Sequence, residues 1–135
     1  MAEKLQIGKL AEATGTKVET IRWYEKVGLI APPARTGGNY RAYSPDDLAR
    51  LSFIRRARDL GFSLDQVRAL LDLAVQRERD CTTVDGIASE HLAEVDRKLA
   101  DLAALRRELA RLVSTCDGGM VADCRILEAF GPVSP

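Results

Sequence analysis

Gly15-Thr16-Lys17-Val18-Glu19-Thr20-Ile21-Arg22-Trp23-Tyr24-Glu25-Lys26-Val27-Gly28 holds one complete helix between two glycines. Val18, Ile21 and Tyr24/Glu25 recur about one turn apart, which predicts a helix from about Lys17 to Lys26. Gly28 stands where a helix end calls for positive φ. Upstream, Leu5, Ile7, Leu10, Ala11 and Ala13 predict a short amphipathic helix starting at Leu5, and Thr14-Gly15-Thr16 predicts the turn that closes it. Two short helices across a glycine-containing turn make a helix-turn-helix, whose second helix presents its outward side chains to a partner.

Downstream of that pair, residues 31–43 combine chain breakers, a Gly37-Gly38-Asn39 hairpin signal and Tyr40-Arg41-Ala42-Tyr43, predicting two short strands around a turn, a wing. Ser44-Pro45-Asp46-Asp47 reads as a helix start, with Ser44 as N-cap, Pro45 in the first position and acidic residues in the first turn. Ser63 with Gln66 three residues on repeats the start signal as a capping box for a helix carrying Leu64, Val67, Leu70, Leu71 and Val75. Polar residues 76–80 break it. From Cys81 to Thr115, Ala88, Leu92, Val95, Leu99, Leu102, Leu105, Leu109 and Leu112 recur in steps of three and four, the seam of a coiled coil. A lone helix with such a stripe exposes it, so the economical expectation is an antiparallel pair of chains. Residues 116–131 read as a loop and a short helix through Ile126, Leu127, Ala129 and Phe130.

The expected fold class is therefore mainly α. Residues 1–75 form a winged helix-turn-helix with linker helices, 81–115 a long dimerisation helix, and 116–135 a short C-terminal loop with a helix or tail. The 135 residues carry no net charge, but residues 1–60 hold 11 Lys and Arg against 7 Asp and Glu, a surplus of 4 that suits phosphate. The start Met1-Ala2-Glu3-Lys4 lacks a signal-peptide layout, and no apolar run approaches the roughly 20 residues of a membrane span, so a cytoplasmic protein without a membrane partner is expected. No nucleophile stands with a base at workable spacing and no loop cradles phosphate, so the chain does not read as an enzyme.

Ile7-Gly8-Lys9-Leu10-Ala11, the run Thr20-Ile21-Arg22-Trp23-Tyr24-Glu25 to Gly28-Leu29-Ile30, Asn39-Tyr40-Arg41-Ala42-Tyr43 and Leu60-Gly61-Phe62-Ser63-Leu64, in that order, resemble the MerR family of bacterial transcription regulators. The resemblance covers nearly the whole chain. It implies a homodimer on palindromic promoter DNA that bends and untwists an overlong spacer so that RNA polymerase engages both promoter elements. Arg22 is then expected to read guanine or clamp phosphate and Tyr24 to donate its hydroxyl to the DNA backbone, with Tyr40 and Arg41 gripping the flanking phosphates and Lys17 and Arg35 completing the set. Trp23 and Tyr43 are expected in the core.

Three cysteines remain, Cys81, Cys116 and Cys124, an odd number in a reducing compartment, which points to metal binding or redox chemistry and not to a disulfide framework. If residues 81–116 form one helix, its ends lie roughly 52 Å apart, so one chain cannot gather all three thiols whereas two antiparallel chains can. Cys81 lies at a helix N-terminus, where the macrodipole favours thiolate. Thiolates are soft ligands, suited to Cu(I), Zn(II), Cd(II), Hg(II) and Pb(II). By the resemblance, divalent sensors supply the third thiolate at the Cys81 position from the partner subunit, where copper-type sensors carry serine. Three thiolates leave a dication with one surplus negative charge and Cu(I) with two, and the extra buried charge is costly. The loop between Cys116 and Cys124 offers no histidine or further cysteine, which moves Hg(II), Pb(II) and Cd(II) ahead of Zn(II). The seven-residue spacer resembles that of copper sensors, so Cu(I) stays as the alternative, and a thiol-based metal buffer or redox protein is the rival of another class. His91, between Glu90 and Glu94, reads as a solvated helix residue.

Overall fold

A computed structural model of the chain describes residues 5–33 and 42–133. It comprises two compact units, Met1–Val84 and Asp85–Pro135.

In the first unit, α1 (Ile7–Thr14), α2 (Val18–Lys26), α3 (Pro45–Asp59) and α4 (Leu64–Ala74) enclose the core. α1 packs on α2 and α3, and α3 packs on α4. Leu10, Ile21, Leu29, Ile30, Tyr43, Leu51, Ile54 and Val67 are fully buried between them. Gly15 ends α1 with φ 65°, and a Cβ there would also stand 3.0 Å from the Arg55 guanidinium, which donates to the carbonyls of Thr14 and Gly15. The positive φ favours glycine, and a side chain there would also require the Arg55 guanidinium to shift.

Both predicted helix starts are present as capping boxes. Ser44 Oγ accepts from the Asp47 amide at 3.2 Å while Asp47 Oδ2 accepts from the Ser44 amide at 2.8 Å. Ser63 and Gln66 repeat the exchange at 3.2 and 2.8 Å. Ser44→Ala removes one half of the first box and is expected to cost about 1 kcal/mol of stability, visible as a lowered urea midpoint with an unchanged slope.

Leu5 departs from the expectation. It lies outside α1 and forms an antiparallel bridge with Tyr43, amide to carbonyl at 2.8 Å one way and 2.7 Å the other. Tyr43 is buried, as its sequence context suggested, and its hydroxyl donates to Glu25 Oε1. Most of the predicted wing, residues 34–41, lies outside the described residues; among those described, this bridge is the sole β pairing.

The turn that follows α2 is held by two arginines of neighbouring helices. Arg50 Nε donates to the Leu29 carbonyl at 2.7 Å and Arg68 Nη2 to the Val27 carbonyl at 2.8 Å. These guanidiniums hold carbonyls of the turn just past the helix, while the last-turn carbonyls of Trp23, Tyr24 and Glu25 are taken by the backbone amides of Val27, Leu29 and Gly28.

The helix that enters the second unit, α5 (Thr82–Ser114), has 33 residues, about 50 Å at the helical rise. Leu92, Leu99, Leu102, Leu105 and Leu109 are each between 51 and 61% exposed in the single chain. A 3₁₀ turn (Val121–Asp123) and α6 (Arg125–Phe130) follow. His91 contradicts its reading as a solvated residue: it is 8% exposed, with Nδ1 3.9 Å from Glu94 Oε2. The acidic neighbours that suggested solvation include the carboxylate that partners the ring.

Candidate DNA-reading surface and thiol site

Ile21 and Tyr24 anchor α2 in the core, and at about 100° per residue Arg22 and Trp23 both fall about 130° from the direction midway between them. Arg22 is accordingly exposed, and so are Glu19 and Lys26. Lys17 is the exposed N-cap of the helix. The two aromatics exchange their expected burial. Trp23 is 46% exposed, whereas Tyr24 is 7% exposed and belongs to the core. Their rings meet at 5.7 Å between centroids and 44° between planes, so the buried tyrosine backs the exposed indole. Trp23 is the residue that sequence reasoning missed for this surface; the helical angle from Ile21 and Tyr24 was the signal that could have found it. Arg35, Tyr40 and Arg41 lie outside the described residues.

Cys81 is exposed and immediately precedes α5. At that helix N-terminus the amide of Thr82 is taken by Asp80 Oδ1 at 3.0 Å. Hydrogen bonds from the Thr82 hydroxyl and then its amide hold the Asp80 carboxyl below the usual carboxylate range. Arg79 reaches over the same turn, its Nη2 donating to Thr83 Oγ1 at 3.0 Å.

The other two thiols belong to one loop. Cys116 extends the end of α5, its amide donating to the Val113 carbonyl at 3.1 Å. Gly118 and Gly119, with φ 78° and 100°, then reverse the chain. Cys124 is the N-cap of α6. Cys116 and Cys124 line a single concavity of about 330 Å³, together with Asp117, Met120, Asp123 and Arg125. All three cysteines are free. The single chain thus brings two of the predicted ligands together and leaves Cys81 apart; among the described residues no group of three or more His, Cys, Asp or Glu is assembled. Two free thiols on one small concavity suit a soft cation, and the carboxylates beside them add negative charge without adding soft donors.

Among the described residues no helix is long and apolar enough to cross a membrane. Residues 5–74 match the family model for MerR HTH family regulatory proteins, and residues 48–112 match that for MerR, DNA binding. The chain is 44% identical to the HTH-type transcriptional regulator HmrR of Sinorhizobium medicae, over 92% of its own length and 84% of the relative's. It is 42% identical, over the same shares, to the heavy metal-dependent transcription regulator 2 of Rhizobium meliloti. The structure of the transcription regulator PbrR691 from Ralstonia metallidurans CH34 in complex with lead(II) superposes with a TM-score of 0.80 at 39% identity, covering 94% of this chain and 99% of that one.

Proposed function

Since the chain belongs to the MerR family of helix-turn-helix regulatory proteins, a transcription regulator family and not an enzyme family, we propose that it is a homodimer that activates metal-resistance promoters in response to a divalent thiophilic ion, Hg(II), Cd(II), Pb(II) or Zn(II). The observation that carries this reading is the single concavity shared by Cys116 and Cys124. In the dimer the third thiolate is Cys81 of the partner subunit, brought to the loop by antiparallel pairing of α5. Relatives named for heavy-metal dependence and for a lead(II) complex support a metal of this class.

The DNA surface consists of Lys17, Arg22 and Trp23, extended by Arg35, Tyr40 and Arg41 of the wing. Arg22 supplies a forked donor for a guanine edge or a phosphate, and Trp23 offers an apolar face for a thymine methyl and an indole N–H. The burial of Tyr24 removes its ring from that surface. Binding of the ion favours the dimer state that holds the promoter bent and untwisted, so metal and DNA deformation are linked through one two-state equilibrium, and RNA polymerase engages the distorted promoter.

Cu(I) is the second reading, favoured by the fact that only two thiols share the loop concavity, which is a complete ligand set for a linear monovalent ion. Titration of the purified protein with each metal, followed by thiolate-to-metal charge transfer, separates the two: the divalent reading requires Cys81 in the bound complex and the copper reading does not.

Arg22→Ala tests the DNA assignment. It is expected to weaken promoter binding by about 1–3 kcal/mol at fixed salt, with dimerisation and metal affinity unchanged. Unaltered affinity in an anisotropy titration would remove Arg22 from the interface.

A further inference from the structure

The thiol loop carries a cation whose position its metal ligands alone do not explain. Arg125 directly follows Cys124 and lines the concavity that holds both loop thiols. It also lines the adjoining cleft with Leu112, Thr115, Glu128 and Ala129, where the last turn of α5 meets α6. Its Nε stands 4.0 Å from Asp117 Oδ2, and Asp117 directly follows Cys116. The residues after the two thiols therefore face each other across the mouth of the loop. Asp117 and Asp123 add two carboxylates to the lining, and Arg125 is its one basic side chain.

Charge decides what such a cation does. Three thiolates around a dication leave about one surplus negative charge, and the nearby carboxylates raise that surplus further. Forming the complex also releases thiol protons, so the site becomes more negative than the free thiols were. A guanidinium on the rim stabilises the bound state relative to the free one, whereas a rim carboxylate opposes it.

We propose that Arg125 is the counter-cation of the metal–thiolate centre, a residue that raises its affinity by charge from outside the ligand shell, while Asp117 beside it opposes the bound state. The proposal rests on the metal reading above. The pair is exposed in the single chain, so its own mutual attraction is weak, and the effect arises from the charge created when the site fills.

The test uses the purified full-length dimer and Cd(II) as probe, with affinity measured by chelator competition and occupancy by the thiolate-to-cadmium charge-transfer band. Arg125→Gln is expected to bind Cd(II) about tenfold more weakly, the scale of one partly screened charge contact. Arg125→Lys, which keeps the charge, stays within about threefold of wild type. Asp117→Asn binds at least as tightly as wild type, because it removes a competing negative charge. The gap between wild type and Arg125→Gln narrows as salt rises. Unchanged circular dichroism and apo DNA affinity show that the variants fold. Three results overturn the proposal: Gln equal to wild type, Lys as weak as Gln, or Asp117→Asn as weak as Arg125→Gln, which would make the pair a loop clasp. A wild-type protein that fails to bind Cd(II) rejects the metal reading itself and takes this proposal with it.

Discussion

Cys81→Ser is expected to lower affinity for Hg(II), Cd(II) or Pb(II) by about 100- to 1,000-fold, since the roughly 10–16 kcal/mol of a four-ligand structural zinc site amounts to about 2.5–4 kcal/mol per ligand. The expectation depends on where the cysteines lie. Cys116 and Cys124 already share one concavity, whereas Cys81 precedes a helix of 33 residues, and its thiol must come from elsewhere. Removing Cys81 leaves a two-thiolate clamp that still accepts Cu(I) or Ag(I). Apo promoter binding should persist, because Arg22 and Trp23 lie on α2. A complementation experiment tests the intersubunit arrangement directly. When Cys81→Ser chains are re-paired at random with Cys116→Ser/Cys124→Ser chains, the mixed dimers each regain one complete site, and the mixture binds about a quarter of the wild-type metal. No regained divalent site, or a Cys81→Ser protein with full divalent response, would overturn the arrangement; a wild-type response to Cu(I) alone would promote the copper reading.

The second large effect concerns α5. Leu99 and Leu102 stand 58 and 60% exposed in the single chain, and neighbouring leucines extend the same stripe. In an antiparallel dimer each becomes buried, worth about 1.5–3 kcal/mol per fully buried leucine. Leu99→Glu places a carboxylate in that seam twice per dimer. Dissociation is expected to become at least about 100-fold easier, given the cost of burying an unpaired charge. Sedimentation equilibrium measures this, and α1–α4 should keep their helical signal because their core uses none of these residues. A Leu99→Glu protein that remains a wild-type dimer would place the dimer contact elsewhere.

The features legible in the sequence were those whose causes are local. Ser44 and Ser63 declare helix starts because a cap needs only the next three residues, and the leucine steps of α5 declare a helix because its periodicity is local too. Gly28, predicted at positive φ, has φ 82°. What was misread depends on distance in the chain. Leu5 fits a helix by its own pattern, yet its partner is Tyr43, 38 positions away. Trp23 and Tyr24 are adjacent aromatics, and Trp23 was expected in the core; the tyrosine is buried instead because it shares a face with Ile21. His91 looked solvated because its chain neighbours are acidic, and neighbours in sequence say little about what covers a helix face. At the thiol loop, the sequence named the candidate ligands, but the pairing of Asp117 with Arg125 required the fold of the loop.

The two guanidiniums that hold the Val27 and Leu29 carbonyls have a mechanical consequence. With the turn after it tied to both α3 and α4, and the shared core beneath it, α2 has little freedom to pivot by itself. In the proposed DNA complex, torque applied to those helices would reach the groove as rotation of one stiff body, with little of it lost to bending within the protein. The compliant partner in that proposed complex would be the double helix.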